Sequence, residues 1–162
     1  MSLRTATRLA LLAADQRVAR ATGRTPHTMP LLYIEVIKAC NLRCRMCGFP
    51  SAYPTRGAEL TTDELRAIFD DAVRLHTEVV SLGGGEPFLR KDIFALIDAV
   101  AERSMAMHIN TNGTKIDVSA ASRLGSGVDG GRHLHLALSL DHVDTEPNDS
   151  IRGRGVHAAV SS

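Results

Sequence analysis

The amino-acid sequence predicts an α/β fold built on a parallel sheet, and three observations carry that reading. From Leu31 onward, short β-branched-rich runs alternate with stretches of helical period. The residues most suited to chemistry gather where those runs end, which is where sites form in such folds. The chain has 162 residues, 44% of them hydrophobic, enough for one core of ordinary size.

Taken in order, the N-terminal segment SLRTATRLALLAADQRVARATGR is rich in Arg, Ala and Thr, with Asp15 its only acid. That composition fits a surface helix preceding the domain, the expectation adopted, or an organelle transit peptide. TPHTMP (Thr25 to Pro30) is a linker, since each proline disfavours helix at the residue before it. Residues 1–29 therefore read as an extension and linker, and 30–162 as the core domain. LLYIEVIKAC (Leu31 to Cys40) is a strand expected to end at the first cysteine. Thr61 followed by Glu64 forms a capping-box signature, and Leu65, Ile68, Phe69, Ala72 and Val73 then repeat at helical spacing. TEVVSL is the second strand and runs into GGGEP (Gly83 to Pro87). KDIFALIDAVAER is an amphipathic helix, MAMHINTNG (Met105 to Gly113) the third strand, VSAASRL a weaker helix, and RHLHLALSLD (Arg132 to Asp141) the fourth strand. VHAAVSS reads as the opening of a further helix. Strands separated by helices make βαβ units, in a sheet either open or closed into a barrel.

Alternation along the strands sorts the residues by face. Leu134, Leu136, Leu138 and Leu140 share one side of the fourth strand; His133, His135, Ala137, Ser139 and Asp141 share the other. In the third strand Met105, Met107 and Ile109 oppose His108, Asn110 and Asn112. One face is apolar enough to pack on helices. The polar face is expected to line a ligand cavity, with its polarity rising toward the strand ends.

Charge narrows the partners. Nineteen basic and eighteen acidic residues leave a net charge of +1, which provides no electrostatic footprint for nucleic acid or an anionic membrane. The apolar run LALLAA is far too short to span a bilayer.

All three cysteines of the chain, Cys40, Cys44 and Cys47, fall within CNLRCRMC. An odd, clustered set argues against a secreted disulfide framework and for metal chemistry in a reducing compartment, so a cytoplasmic location is expected. A structural zinc site wants four ligands, usually as two separated pairs. Iron–sulfur loops use short spacings of this kind, and three thiolates would leave one iron of a [4Fe–4S] cluster open to another ligand.

Cys-x3-Cys-x2-Cys after a first strand resembles the signature of the radical S-adenosylmethionine (radical SAM) superfamily. GGGEP resembles that family's GGE motif, NTNG the end of its third strand, SLD the end of its fourth, and NDSIRG (Asn148 to Gly153) the segment leading into its fourth helix. All five stand in the family's order. The resemblance implies that Cys40, Cys44 and Cys47 ligate three irons of a [4Fe–4S] cluster, whose fourth iron binds the amino and carboxylate groups of SAM. It further implies reductive cleavage of SAM to a 5′-deoxyadenosyl radical, which takes a hydrogen atom from an unidentified substrate. An electron donor such as flavodoxin or ferredoxin is implied with it.

On that resemblance the candidate SAM-binding residues are Met46, Gly84, Gly85, Glu86, Asn112, Ser139 and Asp141. Gly83 to Gly85 let backbone approach a ligand closely. Glu86 would face the cationic amino group of SAM. Ser139 and Asp141 suit its ribose hydroxyls or methionine part, and Asn112 could act similarly. Met46 stands where the family commonly has an aromatic residue and could pack near adenine. Arg152 could meet a carboxylate, but the reading adopted is a surface arginine.

The family's core is typically a partial TIM-type barrel of six βα units, so the four strands here imply about four of them. The alternative to a radical SAM enzyme, or its N-terminal portion, is a truncated, non-catalytic iron–sulfur-binding fragment. A third reading, from the residues alone, is a mononuclear metal enzyme using His108, His133 and His135.

Overall fold

The computed structural model of the chain describes residues 3–48, 59–129 and 133–161. Arg132 and Ser162, the expected first residue of the fourth strand and last residue of the final helix, lie outside that range, as does Ser2 of the expected N-terminal helix.

Helix α1 (Leu3–Thr22) precedes strand β1 (Leu31–Ile37). Helix α2 (Thr62–Arg74), strand β2 (Val79–Gly84), helix α3 (Ile93–Glu102) and strand β3 (Ala106–Thr111) follow. Helix α4 (Val118–Asp129), strand β4 (Leu134–Leu138), helix α5 (Thr145–Arg152) and helix α6 (Val156–Ser161) complete the order. Among the described residues the sheet has the order β1-β2-β3-β4, and every pair is parallel. All four strands therefore end on the same side.

The predicted capping box is present: Thr61 Oγ1 accepts from Glu64 N, and Glu64 Oε2 accepts from Thr61 N at 2.8 Å. It starts α2 in the phase that buries Leu65, Phe69 and Ala72. Those residues pack with Leu96, Ile97 and Val100 of α3 against Val80, Leu82, Met107 and Ile109 of the sheet. Fully burying such a side chain stabilises the fold by roughly 1.5–3 kcal/mol, before conformational entropy is set against it.

The other sheet face is the polar one predicted by alternation. One row crosses all four strands at Tyr33, Ser81, His108 and His135, paired in register. The next row up carries Glu35 opposite Gly83, and Asn110 opposite Ala137. Tyr33, Glu35, Asn110 and His135 are exposed, so this face is open.

Three elements differ from expectation. Strand β1 stops at Ile37, before Cys40, because its register slips between Glu35 and Ile37. Strand β4 stops at Leu138; Ser139 N still donates to Thr111 O, but Asp141 N is captured by Asn148 Oδ1. Helix α5 forms where the sequence showed only a lead-in. Its segment TEPNDSIR has no apolar period, and its proline falls in the first turn, where a helix tolerates one.

Two carboxylates tie loops to this frame. Asp15 accepts from Arg24, from the backbone of His27 and from both donors of Thr28, binding the linker to α1. The Arg90 guanidinium, whose side chain is 8% exposed, donates to Val36 O and Leu60 O and pairs with Asp92. It thereby fixes the end of β1, from which the cysteine loop departs. The Arg24 and Arg90 hydrogen bonds hold Asp15 and Asp92 at a pKa of about 2 each, against an ordinary 3.8. A lowered folded pKa gives stability that is complete above the ordinary pKa and is lost as pH falls toward the folded one. The thermal midpoint should therefore drop between about pH 4 and pH 2, and Asp92→Asn should flatten part of that drop.

Candidate active site

The ends of the four strands meet around one cavity of about 240 Å³. Cys40, Cys44 and Cys47 border it from the loop after β1, with Met46 beside them. Gly83, Gly84 and Gly85 border it from the end of β2, Asn110, Thr111 and Asn112 from β3, and Ser139 from β4. Arg152 closes it from the last turn of α5.

The cysteine loop is held by its neighbours rather than by regular structure. Cys47 N donates to Cys44 O, making a turn, and Arg45 N donates to Ile151 O at the end of α5. Cys44 Sγ lies 3.8 Å from Arg152 O. All three thiols are free; Cys40 and Cys44 are half-buried and Cys47 is exposed. Burial pushes the Cys44 thiol up, and the Arg152 guanidinium opposes that shift.

The glycines are needed sterically. After the slip in β1, Gly85 N donates to Ile37 O and Glu86 N to Ala39 O, so two backbones run in close contact. A Cβ on Gly84, whose φ is +120°, would stand 2.2 Å from Ile37 O; one on Gly85 would stand 2.2 Å from Ala39 O. The obstacle is backbone, which cannot rotate away. Gly84→Ala should cost upward of about 2 kcal/mol in urea unfolding, from overpacking and backbone strain together. Gly48→Ala, with nothing within 4 Å, should change stability little.

Glu86 is fully buried and does not border the cavity. Its Oε1 accepts from Phe88 N at 3.0 Å and Thr111 Oγ1 at 2.7 Å; its Oε2 accepts from Asn112 N at 2.7 Å. This carboxylate joins the turn after β2 to the end of β3. Asp141 does not border the cavity either; its Oδ2 lies 2.6 Å from Arg152 Nε.

Arg152 corrects a sequence expectation. Its side chain is 11% exposed, not a surface group, because the Asp141 carboxylate and the cysteine loop enclose it. The alternative sequence reading, that Arg152 meets a carboxylate, is the one the Asp141 pairing matches. The histidines do not assemble as the third reading required. His108 and His135 stack with centroids 4.9 Å apart and planes at 12°, and His108 Nδ1 lies 3.1 Å from Ser81 Oγ. Parallel rings do not direct their nitrogens at one point. Among the described residues, no three His, Cys, Asp or Glu side chains converge on a single ion. The cysteines surround a space instead, which suits a cluster that offers a separate iron to each thiolate.

Comparison with known proteins decides the family. Residues 34–160 match the family model of the Radical SAM superfamily. The chain belongs to the radical SAM superfamily. It is 32% identical over 121 residues to the mycofactocin maturase MftC of Mycolicibacterium smegmatis, covering 75% of this chain and 30% of that protein. It is 32% identical over 138 residues to the pre-heme d1 synthase of Dinoroseobacter shibae, covering 85% of this chain and 31% of that protein. Its fold resembles Streptococcus suis SuiB bound to S-adenosylmethionine, with a TM-score of 0.73 at 22% identity, covering 96% of this chain and 35% of that one. The chain thus spans about a third of the length of these relatives. The radical SAM superfamily uses a [4Fe–4S] cluster and SAM, and the four parallel βα units described here match part of a TIM-barrel-like fold. Among the described residues, no helix is long and apolar enough to cross a membrane.

Proposed function

We propose that the chain holds a [4Fe–4S] cluster on Cys40, Cys44 and Cys47, binds SAM in the adjoining cavity and cleaves it reductively. The observation that carries this reading is that the three thiols border one cavity with the glycine run after β2 and the polar residues ending β3 and β4. When bound there, such a cluster would supply the electron for reductive cleavage of SAM and so for hydrogen-atom abstraction from a substrate.

The protein's own share is placement. Gly83 to Gly85 keep side chains out of the cavity, so that polar cofactor groups approach bare backbone. Ser139 from the end of β4 and Asn112 from the end of β3 border the cavity as well. Arg152 places a cation beside the thiolates, and Asp141 fixes its direction. Met46 offers an apolar wall for adenine. Glu86, fully buried, absent from the cavity lining and already accepting three donors within the protein, is not placed to meet the SAM ammonium group directly. Its part is to hold the ends of β2 and β3 together. Residues 30–162 form the cluster-bearing unit in this reading, with 1–29 an extension, and an electron donor of the flavodoxin or ferredoxin type would reduce it. The relatives are named for a mycofactocin maturase and a pre-heme d1 synthase, so the likeness supports the radical chemistry rather than one substrate.

A second reading, a cluster-binding portion that does not turn over, is favoured by the open polar sheet face and the unpaired outer edge of β4 among the described residues. Anaerobic incubation of the reconstituted chain with SAM and dithionite separates the two. The first reading predicts 5′-deoxyadenosine in proportion to cluster; its absence from a fully loaded chain supports the second.

A further inference from the structure

The amide of Asn112 is locked in one orientation. Its Oδ1 accepts from Thr114 N at 3.0 Å and from Thr114 Oγ1 at 2.7 Å, so Nδ2 must point the other way. There it donates to Asn41 Oδ1 at 3.0 Å, and Asn41 Nδ2 in turn donates to Thr114 Oγ1 at 2.8 Å. The three side chains close a ring in which each donor meets an acceptor, and reversing either amide would set like groups against each other. Asn112 Nδ2 has a second hydrogen, and it faces Cys40 Sγ at 4.0 Å. Asn112 is itself 7% exposed, and its backbone is fixed by Glu86.

Cys40 therefore differs from its two companions. Leu42 N also donates to Cys40 Sγ, at 3.4 Å, whereas Cys44 Sγ faces the carbonyl oxygen of Arg152, an acceptor. We infer that Asn112, held by Asn41 and Thr114, is a positioning residue for the first cluster thiolate, and that its amide N–H stabilises the reduced cluster by donating to Cys40 Sγ. The inference rests on the cofactor reading above and gives Asn112 a task other than contact with SAM. Hydrogen bonds to a cluster's sulfurs are among the protein's means of setting its potential, because they offset negative charge that grows on reduction. The ring spans two elements, the cysteine loop and the turn after β3, so it also sets where Cys40 stands relative to the cavity.

The test is an electron paramagnetic resonance redox titration of the reconstituted chain without SAM, comparing wild type, Asn112→Ala and Thr114→Val. Asn112→Ala removes the donor without adding charge. It should lower the equilibrium constant for reduction three- to tenfold, a midpoint about 30–60 mV more negative at 59 mV per tenfold. Thr114→Val keeps Asn112 but unlocks its amide, and should give a smaller shift in the same direction. It also serves as the readout if the alanine variant folds poorly. Midpoints equal to wild type in variants with full iron content would overturn the inference and leave the cofactor reading standing. A wild-type chain that takes up no cluster would overturn both.

Discussion

Glu86→Ala is expected to destabilise the apo chain by on the order of 3–5 kcal/mol, because it strands the backbone N–H groups of Phe88 and Asn112 and the Thr111 hydroxyl in a dry site. A domain stable by about 5–15 kcal/mol would be left marginal by such a loss. Glu86→Gln keeps the shape and one acceptor oxygen but turns an amide N–H2 on one donor, and should cost about half as much. Urea unfolding of the three proteins is the check. An alanine variant within about 1 kcal/mol of the parent would mean that Glu86 does not hold β3 to the turn after β2. The point reaches function because Asn112, whose backbone Glu86 holds, stands at the cavity against Cys40.

Alanine at Cys40, Cys44 or Cys47 should have the opposite profile. Two of these side chains are half-buried and one is exposed, on a loop outside the core cluster. Removing any one should change apo stability by less than about 1 kcal/mol. Each should nevertheless cut bound iron to a small fraction of wild type, since the cluster needs a thiolate for every iron it anchors. Iron content and urea midpoints on the same preparations separate the two effects. Full iron content in a Cys44→Ala protein would contradict the assigned ligand set.

Much of this was legible in the sequence because the signals are local. Period-two alternation placed Met107 and Ile109 in the core and His108 and Asn110 on the open face. The capping box at Thr61 and the apolar repeat behind it were readable because both depend on spacing within one helix. The cysteine spacing and the glycine run are local in the same way, and the structure brings both to one cavity. Long-range pairing was not legible. Arg152 looks like any polar helix residue until Asp141 and the cysteine loop meet it. Glu86 looks like a turn carboxylate until β3, some 25 residues on, brings Thr111 to it. The stacking of His108 on His135 depends on strand register, which alternation leaves open.

The most direct measurement of the central claim is anaerobic reconstitution with iron and sulfide, followed by iron counting and electron paramagnetic resonance of the reduced protein with and without SAM. The account predicts about four irons per chain and a signal that changes when SAM is added, since three thiolates leave one iron open. A fully loaded cluster whose signal ignores SAM would contradict it.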